Sequence, residues 1–281
     1  MARPLRLHVP GMLYHVIARG NNKQRIYVDT RDFESFLTLL GKGLERFSVQ
    51  CLAYCLMHTH YHLLLKVGPH SVSRLMQHVN SAYCQQFNRR HERVGHVLQG
   101  RFISRMVEDG FYARVALRYL ALNPVVANLV SEPELWPWSS FQETMRPPAS
   151  PAWLSLTEVW ALFGAADEGT GRELFAEFVR APSLDEYMNR GLLLGSRELA
   201  RFVNPLVAAH REDVELPRVE RFAARPSLAD IFRGVTDEAG RNRAAHLAHL
   251  QHGYTLKQIG AIFSRHPTTI ARWVRRGSPS T

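Results

Sequence analysis

The chain has 281 residues, a formal charge of +10 and a sequence pI near 9.9. That length allows a well-buried core and two or three domains, and the basic excess favours a polyanionic partner over an acidic small molecule. No apolar run approaches the roughly 18 residues needed to cross a bilayer. Met1–Arg6 lacks the apolar stretch of a signal peptide, and the three cysteines Cys51, Cys55 and Cys84 form no CxxC pair, so reduced thiols in the cytoplasm are expected.

The charge is uneven. Residues 1–150 hold 18 Lys+Arg against 10 Asp+Glu and residues 227–281 hold 8 against 3, whereas the segment between has 9 against 12. The two ends are therefore the candidate nucleic-acid faces.

In chain order, Met12–Arg19 is rich in strand formers and ends at the turn signal Gly20-Asn21-Asn22. Asp29-Thr30 caps a helix with Phe33, Phe36, Leu37, Leu40 and Leu44 at helical spacing. Val49–Met57 and His60–Val67 read as two further strands, joined so tightly that they form a hairpin or one bent ribbon. Ser71 or Ser73 caps a second helix reaching about Asn88. Arg89–Arg93 and Gly95–Gly100 follow, basic and glycine-containing, suited to phosphate contacts. Phe102–Val107 alternates as a fourth strand, and Asp109-Gly110 opens a third helix, which Pro124 is expected to stop. The order β-α-β-β-α-β-α predicts an α+β fold, a ferredoxin-like split βαβ sandwich with an antiparallel sheet and helices on one face.

Chemistry concentrates in Met57-His58-Thr59-His60-Tyr61-His62-Leu63-Leu64-Leu65. His58, His60 and His62 recur at two-residue spacing, and strand residues two apart share a face, so their rings can converge on one divalent ion. Ordinary strand histidines hydrogen-bonded to neighbours fit that spacing equally well. His15, on the first strand, reads as a packed histidine that could also face the site. On the third helix Tyr119 and Asn123 lie four apart on one face, roughly 6 Å along the axis, so a phenol and an amide oxygen can be presented together. Tyr112, two turns earlier, competes with Tyr119 by helical phase alone.

These residues resemble the HUH single-tyrosine transposases of the insertion-sequence type, and among them the REP-associated tyrosine transposases. That family's strand usually reads Met-Pro-Asn-His-hydrophobic-His-Leu-Leu; here His58 and Thr59 replace Pro-Asn, and the two histidine ligands fall on His60 and His62. The likeness continues through Phe87–His91, Gly95–Phe102 and Tyr119–Val125, and ends near Trp136–Phe141. It implies the ferredoxin-like fold and a divalent ion, Mg²⁺ or Mn²⁺, held by His60, His62 and Asn123. It also implies Tyr119 as the nucleophile, and single-stranded DNA near a hairpin cut and rejoined through a 5′-phosphotyrosine. A tyrosine free in water has a pKa near 10, so the site must stabilise its phenolate. Arg89, Arg90, Arg93 and Arg101 are the expected contacts to the single strand. Relatives act as monomers or as homodimers.

Arg146–Pro151 is a stiff, proline-rich linker. It separates residues 1–145, the nuclease domain, from residues 152–220, a helical connecting region expected to hold helices at Leu156–Phe163 and Arg172–Val179. Residues 191–199 resemble a segment found after the catalytic domain in longer relatives. Residues 227–281 read as a helix-turn-helix: Thr255 caps one helix, and Pro267 opens a second that would read double-stranded DNA through Thr268, Thr269 and Arg272. Three other readings stand beside the nuclease. They are a DNA-binding regulator of the same fold that no longer cleaves, a hydrolase using His58, His60 and His62, and a structural metal site. Missing neighbouring carboxylates weaken the second, and missing paired cysteines the third.

Overall fold

The computed structural model describes residues 7–145, 151–181, 193–196, 199, 227–251 and 254–277. Most of the Arg146–Pro151 linker and large parts of residues 182–226, including much of 191–199, lie outside the described residues. The chain divides into two compact units, one spanning His8–Arg197 and the other holding the C-terminal helices.

In the first unit β1 (Leu13–Arg19), β2 (Gln50–Met57), β3 (His60–Lys66) and β4 (Ile103–Val107) form an antiparallel sheet in the order β2-β3-β1-β4. The helices are α1 (Thr30–Phe47), α2 (Val72–Arg90) and α3 (Phe111–Val126). The element order is the split βαβ arrangement the sequence predicts, but helices cover both faces of the sheet rather than one, because α3 packs on the side opposite α1 and α2. A short strand, β5 (Leu193–Leu194), extends the sheet by pairing parallel to β4.

Local chemistry sets the ends of the elements. Asp29 caps α1 by accepting from the Asp32 amide, and Ser71 caps α2 by accepting from the Arg74 amide. β2 and β3 meet in a hairpin with Met57 opposite His60, so only His58 and Thr59 turn the chain. The hairpin takes His58 out of the strand alternation. Its carbonyl accepts from the Ile26 and Tyr27 amides at 2.8 and 3.3 Å, and its ring packs edge-on against Phe33 and Trp136.

Alternation gives the sheet two chemically distinct faces. Val16, Tyr61, Leu63 and Leu65 are fully or almost fully buried, and Phe36 of α1 packs against Tyr61 of the sheet and Tyr83 of α2, so α1 and α2 cover this side. On the other face Ala53, Cys55, Met57, Leu64 and Val107 join a core with Ala113, Ala116, Leu117, Leu120 and Ala121 of α3. α4 (Ser140–Met145), α5 (Leu156–Leu162) and α6 (Glu168–Arg180) extend that second core through Phe141, Trp160 and Phe175.

α3 does not stop at Pro124, as expected, but runs two residues further. Proline removes only its own donor, and the next turn is satisfied by Ala127 N–H to the Asn123 carbonyl at 3.0 Å and Leu129 N–H to the Pro124 carbonyl at 2.9 Å. Asn128, at φ 55°, then ends the helix.

In the second unit, α7 (Leu228–Ile231) and α8 (Glu238–His246), which runs into a π-helical turn at Leu247–Gln251, pack with α9 (Leu256–Ile262) and α10 (Pro267–Arg276). Their core is Ala245, Ala248, Ile259, Ile270 and Val274. Thr255 and Gln258 close a capping box at the start of α9. Pro267 occupies the first turn of α10, which leaves Thr268, Arg272 and Arg275 exposed.

Candidate functional site

A cleft of about 460 Å³ opens on the α3 side of the sheet, lined by Ile17, Arg19, His60, His62, Gln99, Arg101, Ile103 and Tyr119 among others. Register explains its floor. Arg19 stands opposite His60 and Ile17 opposite His62 across β1 and β3, and directly opposed residues of an antiparallel pair point the same way. Its rim is built by the segment after α2, which docks beside the end of β1. Asn21 N–H donates to the Val97 carbonyl at 2.8 Å, Gln99 N–H to the Arg19 carbonyl at 2.9 Å, and Gly20 bridges to Leu98. Gly20 has to be glycine, because a Cβ there would lie 2.1 Å from the Gln24 carbonyl oxygen.

Three rings converge at the base. His60 and His62 lie 5.1 Å apart, centroid to centroid, and Tyr119 meets His62 edge-on at 5.5 Å. His15, 1% exposed, stacks on His62 at 5.2 Å and places its Nε2 2.9 Å from His62 Nδ1. His62 is 3% exposed and its Nε2 has no partner in the protein. The His60 Nδ1 lies 3.0 Å from Thr59 Oγ1, so that contact occupies Nδ1 and not Nε2.

The cluster is electrically neutral. Burial, reinforced by Arg19, lowers the His60 pKa to about 4, and burial with Arg105 lowers that of His15 to about 3. His62 is pushed well below the ordinary histidine range by burial first, then by His15, His60, Arg105 and Arg19. Near neutral pH the imidazoles therefore keep their lone pairs while Arg19 and Arg101 line the same cleft. A neutral nitrogen set inside an arginine rim suits a cation and a phosphate together.

Several sequence-predicted residues lie apart from this centre. Asn123 stands one turn beyond Tyr119 but does not line the cleft, and its Nδ2 donates to the Tyr119 carbonyl at 3.2 Å. Tyr112 packs against Phe111 and is not among the cleft residues. Arg90 is ion-paired with Asp29 and with the buried Asp32, which holds the end of α2 to the start of α1 and keeps the Asp29 carboxyl down at about 2. Arg93 donates to Gln24 Oε1 and lies over the Phe87 ring, and Arg89 borders a separate recess with Ser35 and Gln86. Of the four arginines predicted to meet DNA, Arg101 is the one that lines the histidine cleft. In the other unit Thr268 and Arg272 lie exposed along α10 and Thr269 is half-buried.

Sequence reasoning missed Arg19 and Arg105, and read His15 as a packed histidine that could also face the site. Their signal is the strand register, which places Arg19 beside His60 and Arg105 beside His15.

Residues 8–121, which carry all three clustered histidines, Arg19, Arg101 and Tyr119, match the family model described as "Transposase IS200 like". The match spans 114 of the 281 residues, all within the first unit. It closes two residues after Tyr119, so Asn123 lies just beyond it. The chain also has a loose likeness to a REP-associated tyrosine transposase solved bound to a REP hairpin, at 17% identity over 55% of this chain and 92% of that one, TM-score 0.46. A crystal structure from Deinococcus radiodurans R1 named as a transposase aligns at 15% identity over 45% of this chain and 96% of that one, TM-score 0.32. No curated protein matches the sequence. Among the described residues no helix is long and apolar enough to cross a membrane.

Proposed function

We propose that this chain is a metal-dependent endonuclease and strand transferase that cuts and rejoins single-stranded DNA near hairpins through a 5′-phosphotyrosine intermediate. The observation that carries the reading is the convergence of neutral His60 and His62 with Tyr119 at the base of one arginine-lined cleft. It is supported by the transposase family match over the same residues.

The donors fit a hard or borderline divalent ion such as Mg²⁺ or Mn²⁺. His62 offers a buried nitrogen that nothing in the protein satisfies and His60 a second imidazole, while Asn123, outside the cleft lining, would have to turn inward to add its amide oxygen. Among the described residues no cluster of three or more His, Cys, Asp and Glu could hold an ion, which separates this set from a closed structural site. When bound, such an ion would polarise a non-bridging phosphate oxygen and help align the scissile bond.

The chain's own residues do the rest. Arg19 and Arg101 draw the phosphodiester into the cleft, and their charge opposes the negative charge that builds on phosphorus. The Tyr119 oxygen attacks phosphorus, losing its proton to solvent. The bond from phosphorus to the 3′ oxygen breaks, and that oxygen takes a proton from solvent and leaves as a 3′-hydroxyl. One phosphodiester is exchanged for one phosphotyrosyl ester, so the reverse attack can rejoin a strand without an external energy source.

We assign the second unit as the double-stranded DNA contact. α9 and α10 are taken as a helix-turn-helix with Thr268, Thr269 and Arg272 facing the groove, and the exposed Thr268, Arg272 and Arg275 support this.

The test is denaturing electrophoresis after mixing full-length protein with single-stranded hairpin DNA and Mn²⁺ or Mg²⁺. Wild type is expected to yield a covalent adduct, and Tyr119→Phe to bind the hairpin without one. An adduct persisting in Tyr119→Phe sinks the nucleophile assignment. Binding without an adduct in the wild type, across both metals, refutes the nuclease in favour of a DNA-binding regulator.

A further inference from the structure

The contact between His15 and His62 has a chemical consequence, given the metal reading above. A neutral imidazole carries one N–H, and His15 Nε2 lies 2.9 Å from His62 Nδ1, so a single proton is shared between those two nitrogens. In the protein alone the two placements are balanced. With the proton on His62, His15 keeps an unpartnered Nδ1–H and His62 an unpartnered Nε2 lone pair. With it on His15, the unpartnered groups are the His62 Nε2–H and the His15 Nδ1 lone pair, because both outer nitrogens are buried without partners. A cation at His62 Nε2 breaks the tie, since only a lone pair can bind it.

We infer that His15 is the positioning residue of this site: it accepts the Nδ1–H of His62 and so fixes the tautomer and ring plane that present His62 Nε2 to the divalent ion. Its surroundings suit that role. His15 is 1% exposed, stacks on His62 at an interplanar angle of 25°, and meets Tyr119 edge-on at 5.7 Å, so one ring fixes a ligand and flanks the nucleophile. Register supplies the rest, because His15 and Ile17 of β1 face Leu64 and His62 of β3 on the cleft side of the sheet. Ligating histidines commonly give their second N–H to such a partner, and removing it typically weakens metal binding 10- to 100-fold.

The experiment is Mn²⁺ binding to full-length protein, followed by the loss of the free-ion paramagnetic resonance signal, for wild type, His15→Phe, His15→Gln and His62→Ala. His15→Phe keeps a flat ring but no acceptor, and His15→Gln keeps an acceptor but no ring. A positioning role predicts Mn²⁺ affinity about 10- to 100-fold weaker in His15→Phe and close to wild type in His15→Gln. The reverse order, with His15→Phe binding like wild type and His15→Gln failing, overturns the inference and makes His15 packing alone. If His62→Ala binds Mn²⁺ as wild type does, the ion is not held by His62 and the metal reading falls with it. Long-range proton–nitrogen correlation spectra of the Mg²⁺-loaded wild type decide the case if the variants do not fold. Protonation of His62 at Nδ1 supports the inference, and protonation at Nε2 overturns it.

Discussion

Acid should destabilise the metal-free protein through its histidine cluster, and His15→Phe should remove a measurable share of that loss. An unfolded histidine titrates near 6.5, whereas folded His15 is held at about 3 by burial and by Arg105. Its contribution is therefore complete above pH 6.5 and is lost as pH falls toward 3, because over that window the unfolded chain takes up a proton that the folded chain refuses. Each pH unit is worth about 1.4 kcal/mol, so between pH 7 and pH 5 His15 accounts for about 2 kcal/mol. Urea unfolding in EDTA at both pH values reads this directly. Wild type should lose about 2 kcal/mol more than His15→Phe between pH 7 and pH 5, whatever the offset at pH 7. Equal losses would mean that His15 is not held neutral by burial.

The arginines divide by role. Arg101→Gln should weaken hairpin binding and flatten its salt dependence by about one charge, while Arg90→Gln should leave that slope unchanged and lower thermal stability by about 1 kcal/mol, its partners being Asp29 and Asp32. A fluorescence titration over a salt series, with melting curves, separates the two. Arg272→Ala should reduce retention on double-stranded DNA in a gel-shift assay while leaving the covalent adduct on single-stranded hairpins intact, and loss of both would argue against assigning that helix to duplex binding. Tyr112→Phe should still form the adduct, since Tyr112 packs beside Phe111 away from the cleft, and its loss would move the nucleophile there.

The four strands and three helices of the first unit were legible because their periodicities are strong and their caps explicit, as at Asp29 and Ser71. His60 and His62 were legible because a two-residue spacing is preserved within one strand. What failed depends on neighbours distant in sequence. His58 shares the spacing, but a two-residue turn removes it from the strand. For Arg90, the ion pairs with Asp29 and Asp32, 61 and 58 residues away, were not visible in the local sequence. Pro124 promises a helix end that the following amides and carbonyls postpone. Arg19 and His15 acquire their neighbours only through the pairing of β1 with β3, a register no local pattern specifies.

Because β3 presents His60 and His62 to one side and buries Tyr61 and Leu63 on the other, adjacent positions in this stretch should answer differently to substitution. In an exhaustive substitution library scored for both cellular abundance and DNA processing, positions 61 and 63 should be depleted in the first screen and positions 60 and 62 only in the second. The two profiles would interleave residue by residue along the strand. A variant abundant in the cell but inert on DNA would then mark the cleft-facing side without any reference to coordinates.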